Sequence, residues 1–406
     1  MSGDIWASGA KNAVLPILAA SVITGGENLF TACPRISDVD SMVKILKALG
    51  CVIRREEEVL AIDTSGLSEF RIPNHLMKEM RSSVFLAGSL LARCGEAVIS
   101  NPGGCNIGKR PIDIHISGLE QMGALVDRRS DHMVIKARAL KGTRIRLAYP
   151  SVGATENLLL AALAAEGTTV LENSAREPEI VDLQSYINRC GGRVQGAGTG
   201  VIRIEGKRKL SGCRHRIMPD RIEAGTYLLM ALATGGSICL QNVGEELLKP
   251  LVELLRRGGY ALRCDGGKIR AAARGGEALQ EKLTTAPYPG FPTDLQPQLT
   301  AFLTRVGAGS VIQEQIFENR MEYAKQLIKM GADIEISEKQ VIIRNNNILC
   351  GARVEAQDLR GGAALVIAGL MADGETIVEN TRYIKRGYGN FAEKIRSLGG
   401  EIREDE

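Results

Sequence analysis

The chain has 406 residues, of which 44% are hydrophobic, so it can bury large cores, and its length favours two or three domains. A formal net charge of +4 and only 4% aromatic residues argue against a nucleic-acid-binding protein, which needs a strongly basic face and usually stacking aromatics. No apolar run reaches the roughly 18 residues that cross a bilayer, and no segment resembles a signal peptide. We therefore expect a cytoplasmic protein that binds neither nucleic acid nor membrane.

A repeat of about 70 residues runs along the whole chain. Six times, an apolar helix leads through a small-residue turn and a short strand to an amphipathic helix, and a β-hairpin follows in all but the last copy. In chain order, the first helices are predicted in KNAVLPILAASVI, KEMRSSVFLAGSLLA, ATENLLLAALAA, DRIEAGTYLLMALAT, TDLQPQLTAFLTRV and DLRGGAALVIAGLMA. The second helices are predicted to end near Gly50, Gly123, Gly191, Gly258, Gly331 and Gly399.

The copies differ most in the first turn of the first helix. A repeat maintains a core, so residues that break it are available for a binding site. If several of these helices run alike, their N-termini would add partial positive charge and N–H donors to the cations already there. This pattern indicates an anion-binding site. Its candidate residues are Lys11, Asn12, Arg81, Ser151, Gly153, Arg221, Asp294 and Arg360.

The hairpins predict the domain organisation. Alternating strands such as CVIRREEEVLAID indicate small mixed sheets, each covered on one face by the helices of its repeat. The last copy ends at GGEIREDE without a second hairpin strand, and the N-terminal GDIWASG could complete its sheet. We therefore expect a discontinuous domain of residues 1–10 plus 219–406 around an inserted domain of residues 11–218. The two crossings would form a hinge, with the ligand in the cleft between the domains.

One segment combines a glycine-rich loop with a cysteine that could be chemically reactive. NPGGCNIGKRPIDIH, at 101–115, is interrupted by Pro102, Gly103, Gly104 and Gly108 and must be a loop. It places Cys105 beside Lys109 and Arg110, and cations lower the pKa of a thiol and make it reactive. The nine cysteines include no CxxC pair, and the four histidines no HExxH, so we expect neither a disulfide framework nor a metal site.

Nine motifs in the same order resemble a known family over nearly the whole chain. The motifs are SGAKNAVLPILAA, PGGCNIGKRPIDIHISGLEQMGA, PSVGATEN, AREPEIVD, PDRIEAGT, PGFPTDLQPQ, FENR, DLRGGAALVIAGL and IKRGY. Together they resemble the UDP-N-acetylglucosamine 1-carboxyvinyltransferases, enolpyruvyl transferases of the EPSP synthase-like superfamily. The resemblance implies an α/β (α+β) protein, a two-domain inside-out α/β barrel built from six repeated α/β units, three per domain.

The resemblance also implies an activity. Such an enzyme moves the enolpyruvyl group of phosphoenolpyruvate to the 3-hydroxyl of UDP-N-acetylglucosamine and releases phosphate, which is the first committed step of peptidoglycan precursor synthesis. The reaction needs a base for the hydroxyl proton, an acid for the methylene carbon and cations on the phosphate. The resemblance implies no cofactor, no metal and no obligate protein partner, and both substrates are small molecules.

The resemblance assigns roles to individual residues. Cys105 would be the proton donor, able also to form a covalent adduct, and Asp294 the general base, with Lys11 and Arg386 acting on the phosphate. Phosphoenolpyruvate would be held by Lys11, Asn12, Arg110 and Arg386. The nucleotide sugar would contact Arg81, Arg110, Pro111, Ile112, Asp113, Ile114, Ser151, Val152, Gly153, Asp294 and Ile316. Supporting electrostatic contacts would come from Arg320, Asp358 and Arg360.

The sequence is also compatible with purely structural roles for some of these residues and with other functions. Asp294 at a helix start could be a simple cap, and Arg320 and Arg386 could form surface salt bridges. The sister transferase that acts on shikimate 3-phosphate, 3-phosphoshikimate 1-carboxyvinyltransferase, shares the sixfold architecture but lacks this Cys loop and the RPIDIH stretch. A catalytically weak paralogue acting as a nucleotide-sugar sensor would keep the binding residues. A DNA-encircling clamp of six α/β units has no use for arginines at helix starts.

Overall fold

The computed structural model describes residues 1–100, 103–104, 107–108, 111–273 and 279–405. Within these ranges no helix is both long enough and apolar enough to span a membrane. Three short segments are 3-10 helices, at Arg81–Val84, Thr293–Leu295 and Thr381–Arg386. The described α-helices are α1 (Lys11–Thr24), α2 (Ser37–Ala48), α3 (Asn74–Met77), α4 (Phe85–Cys94), α5 (Asp113–Gln121), α6 (Val152–Ala162), α7 (Pro178–Arg189), α8 (Arg221–Ala233), α9 (Glu245–Arg257), α10 (Gln296–Val306), α11 (Glu322–Lys329), α12 (Leu359–Met371) and α13 (Phe391–Ser397).

The strands are short and follow the helices in a regular order. They are β1 (Ser2–Ile5), β2 (Glu27–Thr31), β3 (Val52–Glu56), β4 (Val59–Asp63), β5 (Glu96–Ser100), β6 (Leu125–Arg128), β7 (His132–Lys136), β8 (Arg144–Arg146), β9 (Thr168–Glu172), β10 (Arg193–Gln195), β11 (Val201–Glu205), β12 (Arg214–Arg216), β13 (Ser237–Leu240), β14 (Ala261–Asp265), β15 (Lys268–Ala272), β16 (Lys282–Thr284), β17 (Val311–Gln313), β18 (Ile334–Ser337), β19 (Gln340–Ile343), β20 (Arg353–Glu355) and β21 (Ile377–Glu379).

Both helices of every repeat lie where the sequence predicts them. The apolar first helices are α1, α4, α6, α8, α10 and α12, and α4 and α10 are each preceded by a 3-10 turn. The second helices end beside glycines that adopt the left-handed conformation, with φ between 82° and 99° at five of the six predicted positions. The fourth is different: Gly258 has φ −77°, and Gly259 takes the left-handed turn with φ 73°. A side chain at Gly259 would therefore be strained, while Gly258 is the helix cap.

The sheets share one plan. In every repeat but the second, the strand between the two helices pairs in parallel with another strand, and in the first five repeats it also pairs antiparallel with the hairpin. The parallel partner normally precedes the first helix of the same repeat: it is β8 for β9, β16 for β17 and β20 for β21. The sheet of β5, β7 and β6 gains its parallel partner through a single bridge from Arg71 to Val98.

The first and fourth repeats exchange their parallel strands. β1 precedes α1 but pairs with β13 of the fourth repeat, whereas β12 precedes α8 but pairs with β2 of the first repeat. The expectation that the N-terminal segment completes the sheet of the last repeat is therefore wrong. That sheet consists of β20 and β21 alone within the described residues, and β1 only touches the end of the last repeat, where Ser2 N donates to Leu398 O at 2.7 Å.

The exchange accompanies a division of the chain into two compact units. One unit contains residues 9–104 and runs on from residue 111 to Met218, and the other contains Met1–Ser8 and the chain from Pro219 onward, with Ile107 and Gly108. Each unit has its own hydrophobic core, which is rich in Leu, Ile, Val and Ala. The chain leaves the second of these units after Ser8, two residues before the boundary expected from the sequence, and returns to it at Pro219.

The core of the 9–218 unit encloses a carboxyl group. Glu156 on α6 is fully buried, and neither of its oxygens has a hydrogen-bond partner among the described residues. Burial raises the pKa of Glu156 well above its ordinary value, and the nearby Glu179 and Glu177 raise it further. Folding therefore favours the protonated form of this carboxyl relative to the unfolded chain.

We expect Glu156→Gln to stabilise the protein increasingly as the pH rises. Below the unfolded pKa near 4.5 both states bind the proton, so the carboxyl adds no pH-dependent penalty to the free energy of folding. Above that value the penalty grows by about 1.4 kcal/mol per pH unit until the folded-state pKa is reached. Urea unfolding at pH 5.5 and pH 8 should show a larger gain at pH 8. The control is Glu120→Gln at an exposed position, which should change the free energy of unfolding by the same amount at both pH values.

Candidate active site

The site residues of the 9–218 unit lie at helix starts, as the sequence predicts. Lys11 is the first residue of α1, and its Nζ lies 2.8 Å from Oδ2 of the buried Asp38 at the start of α2. Asn12 follows it in the same turn. The ion pair holds the half-buried ammonium at the helix N-terminus, where an anion is favoured by the helix dipole and the cation together.

The starts of α5 and α6 come together. Ser151 caps α6, accepting a hydrogen bond from Ala154 N at 3.3 Å. A Cβ placed on Gly153 would lie 3.4 Å from Cε1 of His115 on α5 and 3.4 Å from Phe85. The structure therefore packs the start of α6 against α5 at His115, and any side chain at Gly153 would narrow the gap between these two helices.

His115 belongs to the RPIDIH motif but was not predicted to be a site residue. Asn157 Oδ1 accepts from Gly88 N at 2.7 Å, so its Nδ2 faces His115 Nδ1 at 3.1 Å. Nδ1 therefore accepts, and the proton resides on Nε2, beside Gly153. Burial, together with the charge of Arg81 at the start of its own 3-10 turn, lowers the pKa of His115 to about 4. The imidazole is neutral at physiological pH and joins α4, α5 and α6.

The other unit holds an acidic residue between two buried arginines. Arg320 Nη2 donates to Asp294 Oδ1 at 2.9 Å, and Arg360 Nη2 donates to Oδ2 at 3.1 Å. Both guanidinium groups are almost completely buried, while the Asp294 side chain keeps 23% of its surface exposed. The two donors fix the orientation of the carboxylate. Asp294 is thus more than a helix cap.

Asp358 supports this arrangement from the backbone side. It caps α12, and its Oδ1 accepts from Arg360 N at 2.8 Å and Gly361 N at 3.1 Å. Burial lowers the pKa of Arg320, but Asp294 and Asp358 outweigh it and raise that pKa overall. Burial is likewise outweighed at Arg360, where Tyr388 and Asp294 raise the pKa. Both arginines therefore stay protonated beside Asp294, and Asp358 binds the backbone at Arg360.

A second carboxylate in this unit was missed by sequence reasoning. Glu314 follows β17, is fully buried, and accepts from Ile316 N at 2.7 Å through Oε1 and from Thr293 Oγ1 at 2.8 Å through Oε2. It therefore links the turn that carries Ile316 to the turn that carries Asp294. Its only sequence signal is its position in QEQIFENR, two residues before Ile316.

The remaining predicted residues are partly described. Arg386 is the last residue of the 3-10 helix Thr381–Arg386 and is half-buried. Cys105 and Arg110 lie outside the described residues. From the same loop, Ile107 O accepts from Asn319 N at 3.0 Å, and Gly108 contacts Glu318, so this part of the loop lies against the FENR segment. Among the described residues no group of three or more His, Cys, Asp or Glu side chains is arranged to hold a metal ion.

Comparison with known proteins identifies close relatives. The family model described as EPSP synthase (3-phosphoshikimate 1-carboxyvinyltransferase) matches residues 1–395. UDP-N-acetylglucosamine 1-carboxyvinyltransferase 2 of Caldanaerobacter subterraneus subsp. tengcongensis is 44% identical, covering 98% of this chain and 96% of its own. UDP-N-acetylglucosamine 1-carboxyvinyltransferase 1 of Symbiobacterium thermophilum is 46% identical, covering 99% and 92%.

Solved structures show the same mixed α/β fold. The enolpyruvyl transferase NikO from Streptomyces tendae superimposes with a TM-score of 0.88 at 22% identity, covering 99% of this chain and 96% of its own. An EPSP synthase from Acinetobacter baumannii gives a TM-score of 0.73 at 20% identity, covering 98% and 95%. At these identities the likeness establishes the fold and leaves the substrate to other observations.

Proposed function

Because the chain belongs to the UDP-N-acetylglucosamine 1-carboxyvinyltransferases of the EPSP synthase family, we propose that it transfers the enolpyruvyl group of phosphoenolpyruvate to the 3-hydroxyl of UDP-N-acetylglucosamine and releases phosphate. This is the committing step of peptidoglycan precursor synthesis. The observation that carries the proposal is the 44% to 46% identity, over almost the whole chain, to relatives that bear this name. The pairing of Asp294 with two buried arginines supports it, because an acceptor hydroxyl needs an oriented base.

Phosphoenolpyruvate would bind to Lys11, Asn12, Arg110 and Arg386. Its phosphate and carboxylate require several cations, and guanidinium groups give planar two-point contacts to both. The Lys11 ammonium at the N-terminus of α1 supports this role, because Asp38 fixes its direction. The same cations stabilise the phosphate when it leaves.

UDP-N-acetylglucosamine would lie along the residues that begin α5 and α6, with Arg81, Arg110 and Ile316. Neutral His115 stiffens this surface without adding charge. Asp294 would sit beside the 3-hydroxyl, held there by Arg320 and Arg360.

The reaction then follows in two steps. Asp294 accepts the proton of the 3-hydroxyl as its oxygen attacks C2 of phosphoenolpyruvate, and Cys105 donates a proton to the methylene carbon, which becomes a methyl group. Loss of a proton from that methyl group and departure of phosphate restore the double bond. The addition and the elimination both place charge on the phosphate, which the cations balance.

We also propose the finer architecture that the family implies. The six repeats would form an inside-out α/β barrel with three repeats per domain, and the active site would lie in the cleft between the 11–218 domain and the domain of 1–10 plus 219–406. The matched positions of the helix starts in all six repeats support this proposal. The protein would act in the cytoplasm, where both small-molecule substrates are made.

A phosphate-release assay tests the proposed function. The protein should release phosphate from phosphoenolpyruvate in the presence of UDP-N-acetylglucosamine and not with shikimate 3-phosphate. Phosphate release from phosphoenolpyruvate with shikimate 3-phosphate as the acceptor, and none with UDP-N-acetylglucosamine, would favour the sister activity. Binding of UDP-N-acetylglucosamine in calorimetry without phosphate release would favour a sensor.

We expect Arg386→Lys to raise the KM for phosphoenolpyruvate at least about tenfold, because an ammonium keeps the charge but cannot make a planar two-point contact. The KM for UDP-N-acetylglucosamine should change little. Arg382→Lys, on the exposed side of the same 3-10 helix, is the matched control and should match the wild type. Constants for phosphoenolpyruvate within twofold of wild type would contradict the assignment of Arg386.

A further inference from the structure

We propose that Glu314 is a positioning residue that holds Asp294 and Ile316 in register for the nucleotide sugar; this rests on the proposed function. Asp294 and Ile316 come from two turns that are separate in sequence. A single side chain that binds both turns can hold them together without a backbone hydrogen bond between them. Glu314 does so: Oε2 accepts from Thr293 Oγ1, next to Asp294, and Oε1 accepts from Ile316 N.

A carboxylate suits the hydrogen-bond donors around Glu314 better than any other side-chain group does. Oε1 also accepts from Thr285 Oγ1 at 2.8 Å and from Phe317 N at 3.3 Å. Two of the four donors are backbone N–H groups, which cannot reverse their direction, and the side chain is fully buried. A carboxylate only accepts, so it serves all four donors at once. Loss of its oxygens would leave two partly buried N–H groups without these acceptors and release both turns.

The consequence should fall on one substrate. Asp294 and Ile316 are both assigned to the nucleotide sugar, and among the described residues Glu314 binds the turns at 285, 293 and 316–317. Misplacement of a reacting group by about 1 Å can cost about 100-fold in rate. Loosening these turns should therefore weaken UDP-N-acetylglucosamine binding and slow turnover while leaving the KM for phosphoenolpyruvate unchanged.

Glu314→Gln and Glu314→Ala separate the geometry from the charge. Gln keeps an oxygen toward the two backbone N–H groups and turns its amide toward Thr293, whose hydroxyl can accept instead of donate. We expect kcat of Glu314→Gln within about fivefold of wild type and kcat of Glu314→Ala lower by about 50-fold or more. Nucleotide-sugar affinity by calorimetry should fall in the Ala variant only, and the KM for phosphoenolpyruvate should change less than twofold in both.

Thr293→Val and Thr285→Val are compared, since each removes a hydroxyl that donates to one oxygen of Glu314, although the Thr285 hydroxyl also accepts from Gln315 N at 3.0 Å. Only Thr293 adjoins Asp294. Thr293→Val should lower kcat by about tenfold, and Thr285→Val should cost a similar loss of melting temperature with kcat reduced less than threefold. Equal kcat losses in the two variants would overturn the positioning role and indicate general destabilisation.

The outcomes distinguish this proposal from the proposed function. An active wild type with a Glu314→Ala variant of wild-type kcat and nucleotide-sugar affinity would overturn only the role of Glu314. A wild type that binds UDP-N-acetylglucosamine but releases no phosphate would refute the transferase activity, and calorimetry on the two Glu314 variants would still decide the role of Glu314. A wild type that binds no nucleotide sugar would overturn both.

A second, independent observation concerns two thiols in the 9–218 unit. Cys190 follows α7 and is buried, Cys213 precedes β12 and is partly exposed, and their Sγ atoms lie 3.1 Å apart. We propose that this pair is a site of oxidation by hydroperoxides. The Cys213 thiolate would take an oxygen from the peroxide, giving a sulfenic acid and releasing hydroxide or alcohol, and the Cys190 thiol would then displace water to form a disulfide.

The surroundings of Cys213 favour it as the attacking sulfur. The hydrogen bond that Cys190 donates lowers the pKa of Cys213, and Arg189 lowers it further. Ser211 N donates to Cys190 O at 2.9 Å, so the backbone segments on which the two cysteines lie are already adjacent.

Peptide mapping after treatment of the full chain with hydrogen peroxide tests the pair. We expect a Cys190–Cys213 crosslinked peptide in the wild type. In Cys190→Ser, a sulfenic acid on Cys213 should be trapped by dimedone. Oxidation of other cysteines in the wild type without this crosslink, or an unmodified Cys213 in Cys190→Ser, would overturn the proposal.

Discussion

Asp294→Asn is expected to lower kcat by about 100- to 10,000-fold while nucleotide-sugar binding persists, because an amide cannot accept the hydroxyl proton. The amide nitrogen would also face one of the two arginine donors, so one of the hydrogen bonds that orient the side chain is lost. Single-turnover phosphate release should fall with kcat, whereas calorimetry with UDP-N-acetylglucosamine should give an affinity within about tenfold of wild type.

Asp220→Asn is the matched control for this substitution. Asp220 caps α8 in the same unit, and its Oδ1 accepts from Ile222 N and Glu223 N. Asparagine caps a helix about as well as aspartate, so this variant should keep at least a third of wild-type kcat. If Asp294→Asn kept more than a tenth of wild-type kcat, another group would have to be the base.

Cys105→Ser is expected to be nearly inactive and Cys105→Asp to keep turnover with a lower pH optimum. A proton donor must be acidic enough to protonate a methylene carbon, and a serine hydroxyl is a far weaker acid than a thiol. An aspartic acid can donate, but with an ordinary pKa near 3.9 it is largely ionised at neutral pH, which shifts its optimum downward. Phosphate release measured from pH 5 to 9 checks both expectations.

The control for Cys105 is an exposed thiol elsewhere in the chain. Cys94, the last residue of α4, is exposed, and Cys94→Ser should have the wild-type rate and pH profile. Iodoacetamide should inactivate the wild type and Cys94→Ser alike, and spare the turnover of Cys105→Asp. A fully active Cys105→Ser enzyme would refute the proton-donor role.

The periodic parts of the fold could be predicted from the sequence, because the helix pattern depends on residues close together in the chain. The twelve repeat helices follow from apolar runs and terminal glycines. The exchange of β1 and β12 could not be predicted, because both strands are three or four residues long and either could pair with β2 or β13. The choice depends on contacts between segments more than 200 residues apart, such as Ser2 and Ser237, which are 235 residues apart.

The candidate site shows the same limit. Lys11, Ser151 and Asp294 are recognisable because they stand at helix starts and in motifs. That Asp294 lies between Arg320 and Arg360 is a property of the tertiary structure, since the three residues come from three different segments. Glu314 carries no motif signal as a site residue, because its role depends on donors from turns at 285, 293 and 316.

The exchange of β1 and β12 imposes an order on folding during synthesis. Residues 9–218 contain every strand that their own sheets require, so this unit can form as soon as it leaves the ribosome. β1, which is made before this unit, must stay unpaired until β13 has been made, and closing so long a loop delays its pairing. The sheet of β1 and β13 is therefore completed only after the whole 9–218 unit has been synthesised, and β1 waits without its partner while that unit folds.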